Sequence, residues 1–386
     1  MAKKKNEVDQ STSSNLALTE DPNKNKIDNI LRQPAELEFA REFEILQSAD
    51  KDAKPVGWQL SPKMVQLYIL GGKVKGEDIR PKYLGNPRIV EIAIATLTTD
   101  RALLLVGEPG TAKSWLSEHL AAAISGDSLQ VVQGTAGTSE EQVRYSWNYA
   151  LLLAEGPTPR ALVSSPIYRG MTHGKLVRFE EISRVPSEIQ DSLITVLSEK
   201  MMSIPELGFH IQAKRGFNII ATANTRDRGV NDMSAALTRR FNKVVLPVPS
   251  DIDTEVSIVQ KRVTEIGISL QLPAPPPAEE SIRKMIQIFH ELRKGQTLDG
   301  KQKIKSPSGV LSTAEAISLF GNSMALAGHF GTGKITDRDL AAALHGVVVK
   351  EEDKDGVIWV EYLENVMKKR GEEWRELYKE CKELQE

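Results

Sequence analysis

Gly107-Glu108-Pro109-Gly110-Thr111-Ala112-Lys113-Ser114 sets glycines, a lysine and a hydroxyl at the spacing of a phosphate-binding loop. In such a loop, backbone N–H groups at a helix N-terminus cradle phosphates, because they carry partial positive charge and lack intrahelical partners. Lys113 would place its ammonium on the β- and γ-phosphates of a nucleotide, and the Ser114 hydroxyl would coordinate Mg²⁺. Ala112 stands where the second glycine is expected. An ordinary Gly-Pro turn is the plainer alternative, but Lys-Ser in register between a strand and a helix argues against it. A second match at residues 328–335, GHFGTGKI, has both glycines and the lysine. Ile335 has no oxygen for a metal and the stretch follows a helix, so we read it as a helix-to-helix turn.

A phosphate loop needs a metal organiser and a base. Glu180 and Glu181 close the apolar run 176–179, at the strand end where parallel sheets present ligands. Glu180 would hold a Mg²⁺-bound water, and Glu181 would orient and deprotonate the attacking water. An acidic pair at a strand end is often just solvated; its position one α/β unit after the loop favours chemistry. Asn224 ends the run 217–223, where its amide would reach the γ-phosphate or the water, although Asn after a strand is also a turn signal. Arg239 and Arg240 end a short helix before the last strand. They suit either that helix's C-terminal dipole or a finger serving a neighbouring subunit's nucleotide, with Arg240 the favoured finger and Arg239 in support.

These residues need a sheet to position them. Apolar runs recur at 102–106, 129–132, 176–179, 217–222 and 243–246, with helical patterns between most of them. Strands alternating with helices predict a mostly parallel sheet covered on both faces. After Pro247 the pattern turns helical: Ile252, Val256, Val259, Val263 and Ile266 form one stripe, and Ile282, Met285, Ile286, Phe289 and Leu292 another. Ser312-x-x-Glu315 and Thr336-x-x-Asp339 predict two further helix starts. The domain reading is a disordered polar tail at 1–29, a helical segment at 30–84 without evident chemistry, an α/β core at 85–248, a helical lid at 249–350, and an amphipathic helical tail at 351–386.

The 386 residues carry 50 Lys plus Arg against 52 Asp plus Glu, a net charge of −2 that weighs against coating nucleic acid or an anionic membrane. Cys381, the single cysteine, excludes an internal disulfide or a CxxC site, and the 6 histidines show no metal-ligand spacing. No apolar run approaches the ~20 residues of a membrane span, and no signal-type apolar stretch follows the basic start. A cytoplasmic protein is expected.

Taken together, the motifs resemble the AAA+ ATPases: Walker A at 107–114, Walker B at 176–181, sensor 1 at Asn224 and an arginine finger at 239/240. The Gly-x-Pro-Gly-x-Ala-Lys loop is similar to that of the MoxR-like group, and the stretch TANTRDRGVNDMSAALTRRF to its YehL-like branch. The resemblance implies a P-loop NTPase fold with a five-stranded parallel sheet, an all-α lid, and a β-hairpin before sensor 1 within residues 201–216. It also implies ATP and Mg²⁺ as cofactors, a hexameric ring, and chaperone-like remodelling of a partner, often a von Willebrand factor A-domain protein.

Three features depart from that pattern. Glu180 replaces the usual Walker B aspartate, Arg178 interrupts an apolar strand, and Thr313, Ala314 and Glu315 stand where a sensor-2 arginine is expected. Two rival functions follow. A nucleic-acid motor finds support only in Lys200, Lys214 and Arg215 near the hairpin, and is disfavoured by the charge balance. A nucleotide-gated scaffold with little turnover is suggested by Glu180 and the absent sensor 2.

Overall fold

The computed structural model describes residues 30–225, 233–249 and 251–385. The polar tail at 1–29 and the stretch 226–232 lie outside the described residues. Five parallel strands form the central sheet: β1 (Ala102–Gly107), β2 (Val131–Gln133), β3 (Leu176–Glu180), β4 (Asn218–Asn224) and β5 (Phe241–Val245). Their spatial order is β5-β1-β4-β3-β2, so the central strand β4 lies between β1 and β3. The expected strand at 129–132 begins two residues later. Leu129 is exposed, and its N–H donates to the Asp127 carboxylate at 2.9 Å, a turn that delays pairing.

All six β1 residues are buried, so both sheet faces must be covered. Leu103 and Leu105 face Leu116, Leu120 and Ile124 of helix α4, while Leu104, Val106, Phe179 and Ile219 pack on Ile167, Leu193 and Val196 from the other side. Three earlier helices, α1 (Ala40–Ala49), α2 (Pro62–Leu70) and α3 (Pro87–Leu97), join α4 (Lys113–Ser125). Val65, Tyr68 and Ile69 of α2 and Ile94 of α3 share α4's core. Residues 30–84 therefore pack as one wall of the α/β core.

The α-helical unit contains α5 (Ile252–Ser269), α6 (Glu279–Lys294), α7 (Thr313–His329), α8 (Asp337–Val348), α9 (Val357–Asn365) and α10 (Arg375–Glu383). Both expected capping boxes form, Ser312 with Glu315 and Thr336 with Asp339. Packing does not break at residue 350: Trp359, Tyr362, Trp374, Leu377 and Cys381 share one core with Phe289 and Phe320. The tail read separately at 351–386 thus completes the lid. A hairpin of Met201–Ile204 and Phe209–Gln212 precedes β4.

Candidate functional site

The loop after β1 turns tightly into α4. A Cβ on Gly107 would sit 2.7 Å from the Leu246 carbonyl oxygen, so only glycine fits there. Ala112 takes φ 63°, ψ 24°, the left-handed region that glycine favours. An alanine holds this turn at a cost of about 1–2 kcal/mol. Gly110 also has positive φ, and a Cβ there would collide with Ser312 at the start of α7, so the lid rests directly on the loop. Lys113 folds back, donating to the carbonyls of Glu108 (2.7 Å) and Gly107 (3.1 Å), while Thr111 Oγ1 donates to Glu108 O at 2.8 Å.

The two carboxylates at the end of β3 have different environments. Glu180 is buried. Its Oε2 accepts from Ser114 Oγ and Thr222 Oγ1, both at 2.7 Å. Its Oε1 accepts from Ser117 Oγ at 2.5 Å and from Arg178 Nη2 at 2.9 Å. Glu181 adopts a left-handed backbone, φ 55°, ψ 44°, and its N–H donates to Thr222 Oγ1 at 3.0 Å. Its carboxylate is 34% exposed and pairs with Arg184 Nε at 2.9 Å. The sharp turn leaves the Glu181 carboxylate partly exposed at the cavity while Glu180 stays buried against α4.

Asn224 sits opposite Gly107 in the β4–β1 register, beside the start of the phosphate loop. Lys113, Ser114, Glu181, Thr222 and Asn224 all line one cavity of about 700 Å³. Arg239 and Arg240 do not line it. Arg240 is held by Ser198 Oγ and the Ala236 carbonyl, whereas Arg239 is exposed and its side chain forms no hydrogen bond or ion pair among the described residues.

The lid closes the cavity with Ile258, Arg262, Thr313 and Ala314, so Thr313 and Ala314 occupy the place expected of a sensor-2 arginine. Arg262 instead lies 4.1 Å above the Trp115 ring, and Lys261 Nζ donates to Pro81 O at 3.0 Å. Beneath Thr313, the buried Glu255 accepts from Thr313 Oγ1 (2.7 Å), His290 Nε2 (2.6 Å) and Arg293 Nη2 (2.6 Å).

Sequence reasoning missed three contributors. Phe39 and residues 80–84, in a segment assigned no chemistry, form a cavity wall that continues through Gly85 and Asn86. There, burial pushes the Lys82 ammonium down to about 8 against the opposing pull of Glu42. Thr222 and Ser117 were also missed. The available signals were their spacings, two residues before Asn224 in a strand and one helical turn beyond Ser114.

Residues 102–241 match the family described as AAA domain (dynein-related subfamily), and residues 253–386 match the YehL-like AAA+ ATPase C-terminal domain. The chain is 40% identical over 356 residues to YehL of Escherichia coli (strain K12), covering 91% of this chain and 96% of that protein. The chain belongs to the YehL-like AAA+ ATPases. YojN of Bacillus subtilis (strain 168) is 30% identical over 158 residues, 41% of this chain and 50% of that protein. Among solved structures, NtrX from Brucella abortus in complex with ADP aligns with a TM-score of 0.46 and 13% identity, over 77% of this chain and 61% of that one. Among the described residues, no helix is long and apolar enough to cross a membrane.

The donor set suits Mg²⁺–ATP. One hydroxyl and one carboxylate offer hard oxygens, and Mg²⁺ is commonly bound by few protein ligands together with phosphates and waters. Among the described residues, no cluster of three or more His, Cys, Asp or Glu makes a self-sufficient metal cage.

Proposed function

We propose that this protein hydrolyses ATP with Mg²⁺ in the cytoplasm and uses the turnover to remodel a protein partner. The observation that carries the reading is the chain Ser114–Glu180–Thr222–Glu181 beside Lys113, which joins the phosphate loop to the Glu180 carboxylate and, through Thr222, to the backbone N–H of Glu181. The nucleotide would lie on the loop backbone 107–114, and Mg²⁺ on the Ser114 and Glu180 side; the bound pair supplies an activated phosphoanhydride. Lys113 leaves the Gly107 and Glu108 carbonyls to neutralise phosphate charge. Glu181 leaves Arg184 and accepts the proton of the attacking water at its carboxylate, and the Asn224 amide orients that water.

Assembly follows from the same arrangement. Neither Arg239 nor Arg240 lines its own cavity, so a finger role requires a neighbouring copy, and a hexameric ring supplies one. A von Willebrand factor A-domain protein is the proposed client class. To test the client, a Glu181→Gln variant locked with ATP is used for affinity capture from the native cell. Recovery of a discrete protein partner supports remodelling; recovery of nucleic acid overturns it in favour of a motor. A nucleotide-gated scaffold is the second reading, favoured by the Glu181–Arg184 pair that holds the base aside. Absence of steady-state phosphate release from the full chain selects it.

A further inference from the structure

Arg178 lies in the middle of an otherwise apolar strand, with its side chain only 11% exposed. On β3, Arg178 and Glu180 share the face turned to α4, while Val177 and Phe179 face the opposite core. The guanidinium donates through Nη2 and Nε to Glu180 Oε1 (2.9 and 3.1 Å), through Nε to Ser117 Oγ (3.1 Å), and through Nη2 to Ser114 O (3.2 Å). A third branch, Nη1, donates to Ser128 O at 3.2 Å. Buried ion pairs are weak grounds for stability, because apolar replacements often fold as well. The division of labour at Glu180 is more informative: Arg178 and Ser117 hold one oxygen, and Ser114 and Thr222 hold the other.

We propose that Arg178 is a positioning residue that fits a glutamate to the metal side of the nucleotide site. Resting on the ATP–Mg²⁺ reading above, this inference adds the reason a longer carboxylate works there. Arg178 and Ser117 draw Oε1 back against α4, so that Oε2 meets the Ser114 hydroxyl despite the additional methylene. The same guanidinium grips the Ser114 carbonyl, fixing that hydroxyl's backbone to the strand that carries Glu180. Neither a lysine nor a neutral amide reproduces such a multipronged grip.

The test uses the full-length protein and a fluorescent ATP analogue, with dissociation constants measured in Mg²⁺ and in EDTA. Their ratio reports the metal's contribution without turnover. Arg178→Gln is expected to reduce the ratio about tenfold, as loss of a ligand-orienting partner commonly does, with metal-free affinity within about twofold of wild type. Arg178→Lys should recover part of the ratio. In a Glu180→Gln background, Arg178→Gln should have no further effect, because the two act as one unit. If Arg178→Gln does not fold, Ser117→Ala removes the other hold on Oε1 and should lower the ratio in the same direction. An unchanged ratio in the variant that folds, a raised ratio, or equal losses with and without Mg²⁺ would overturn the inference. Wild-type protein that binds the analogue under neither condition would instead overturn the ATP reading beneath it.

Discussion

Glu181 and Arg184 form an ion pair at 2.9 Å across the single turn that follows β3. The proposed base is thus held by a cation three residues away while the neighbouring Glu180 is locked by hydrogen bonds. Freeing Glu181 should make it more available to water. Arg184→Ala is expected to raise basal phosphate release several-fold, on the order of the ~1 kcal/mol that a partly exposed pair contributes. Steady-state ATPase rates of the two proteins check this; a fall in kcat would assign Arg184 a supporting role in turnover.

The two lysine-bearing glycine loops should behave differently. Lys113→Ala removes the cation beside the phosphates and is expected to weaken nucleotide binding by at least about tenfold, near the ~1.5–3 kcal/mol of a charge-assisted bond. Lys334→Ala, in the turn between α7 and α8, should leave affinity unchanged. Titration of both variants with a fluorescent nucleotide separates the loops.

Glu255 provides a pH-dependent prediction in the lid. Burial raises its pKa, but hydrogen bonds and charge from His290 and Arg293 prevail and hold the carboxyl below its ordinary value. A depressed folded-state pKa contributes stability above the unfolded value that is lost as pH falls through the folded one. Glu255→Gln should therefore destabilise the protein by about 3 kcal/mol at pH 7, since it strands Arg293. The difference from wild type should shrink as pH drops below ~4. Urea unfolding of both proteins across that range measures it.

The arginine pair gives a prediction about assembly. Arg240 must leave Ser198 and the Ala236 carbonyl to reach a neighbour, whereas Arg239 is already exposed. Arg240→Ala is expected to bind ATP normally and lose turnover by about 10³-fold or more, as for arginine fingers generally. Mixing it with Lys113→Ala subunits should restore some activity, because the latter still donate a finger to intact sites. If Arg239→Ala alone shows that pattern, the exposed residue is the finger. Mixing that restores nothing, in rings shown to exchange subunits, rules out a role in trans.

What was legible in the sequence was local. Glu180-Glu181 follow an apolar run directly and Lys113-Ser114 follow another across one short loop, so residues close in the chain carry both the chemistry and the strand that presents it. The spacing of Thr222 from Asn224 was visible, but a hydroxyl within a strand gains a role only when β4 pairs with β3. Arg178 looked like an interruption because its partner Ser117 lies 61 positions away in the chain. The N-terminal helices and the 351–386 segment showed apolar faces, yet an apolar face does not specify what covers it. The first covers the sheet and forms part of the cavity wall; the second completes the lid.

The most direct measurement is phosphate release from purified full-length protein with Mg²⁺–ATP, run beside Glu181→Gln with nucleotide binding measured in parallel. The expected result is steady turnover by the wild type, and a variant that binds ATP with similar affinity but turns over at least about 100-fold more slowly, the usual contribution of a general base. Equal turnover by the two proteins would contradict the assignment of Glu181 as the base.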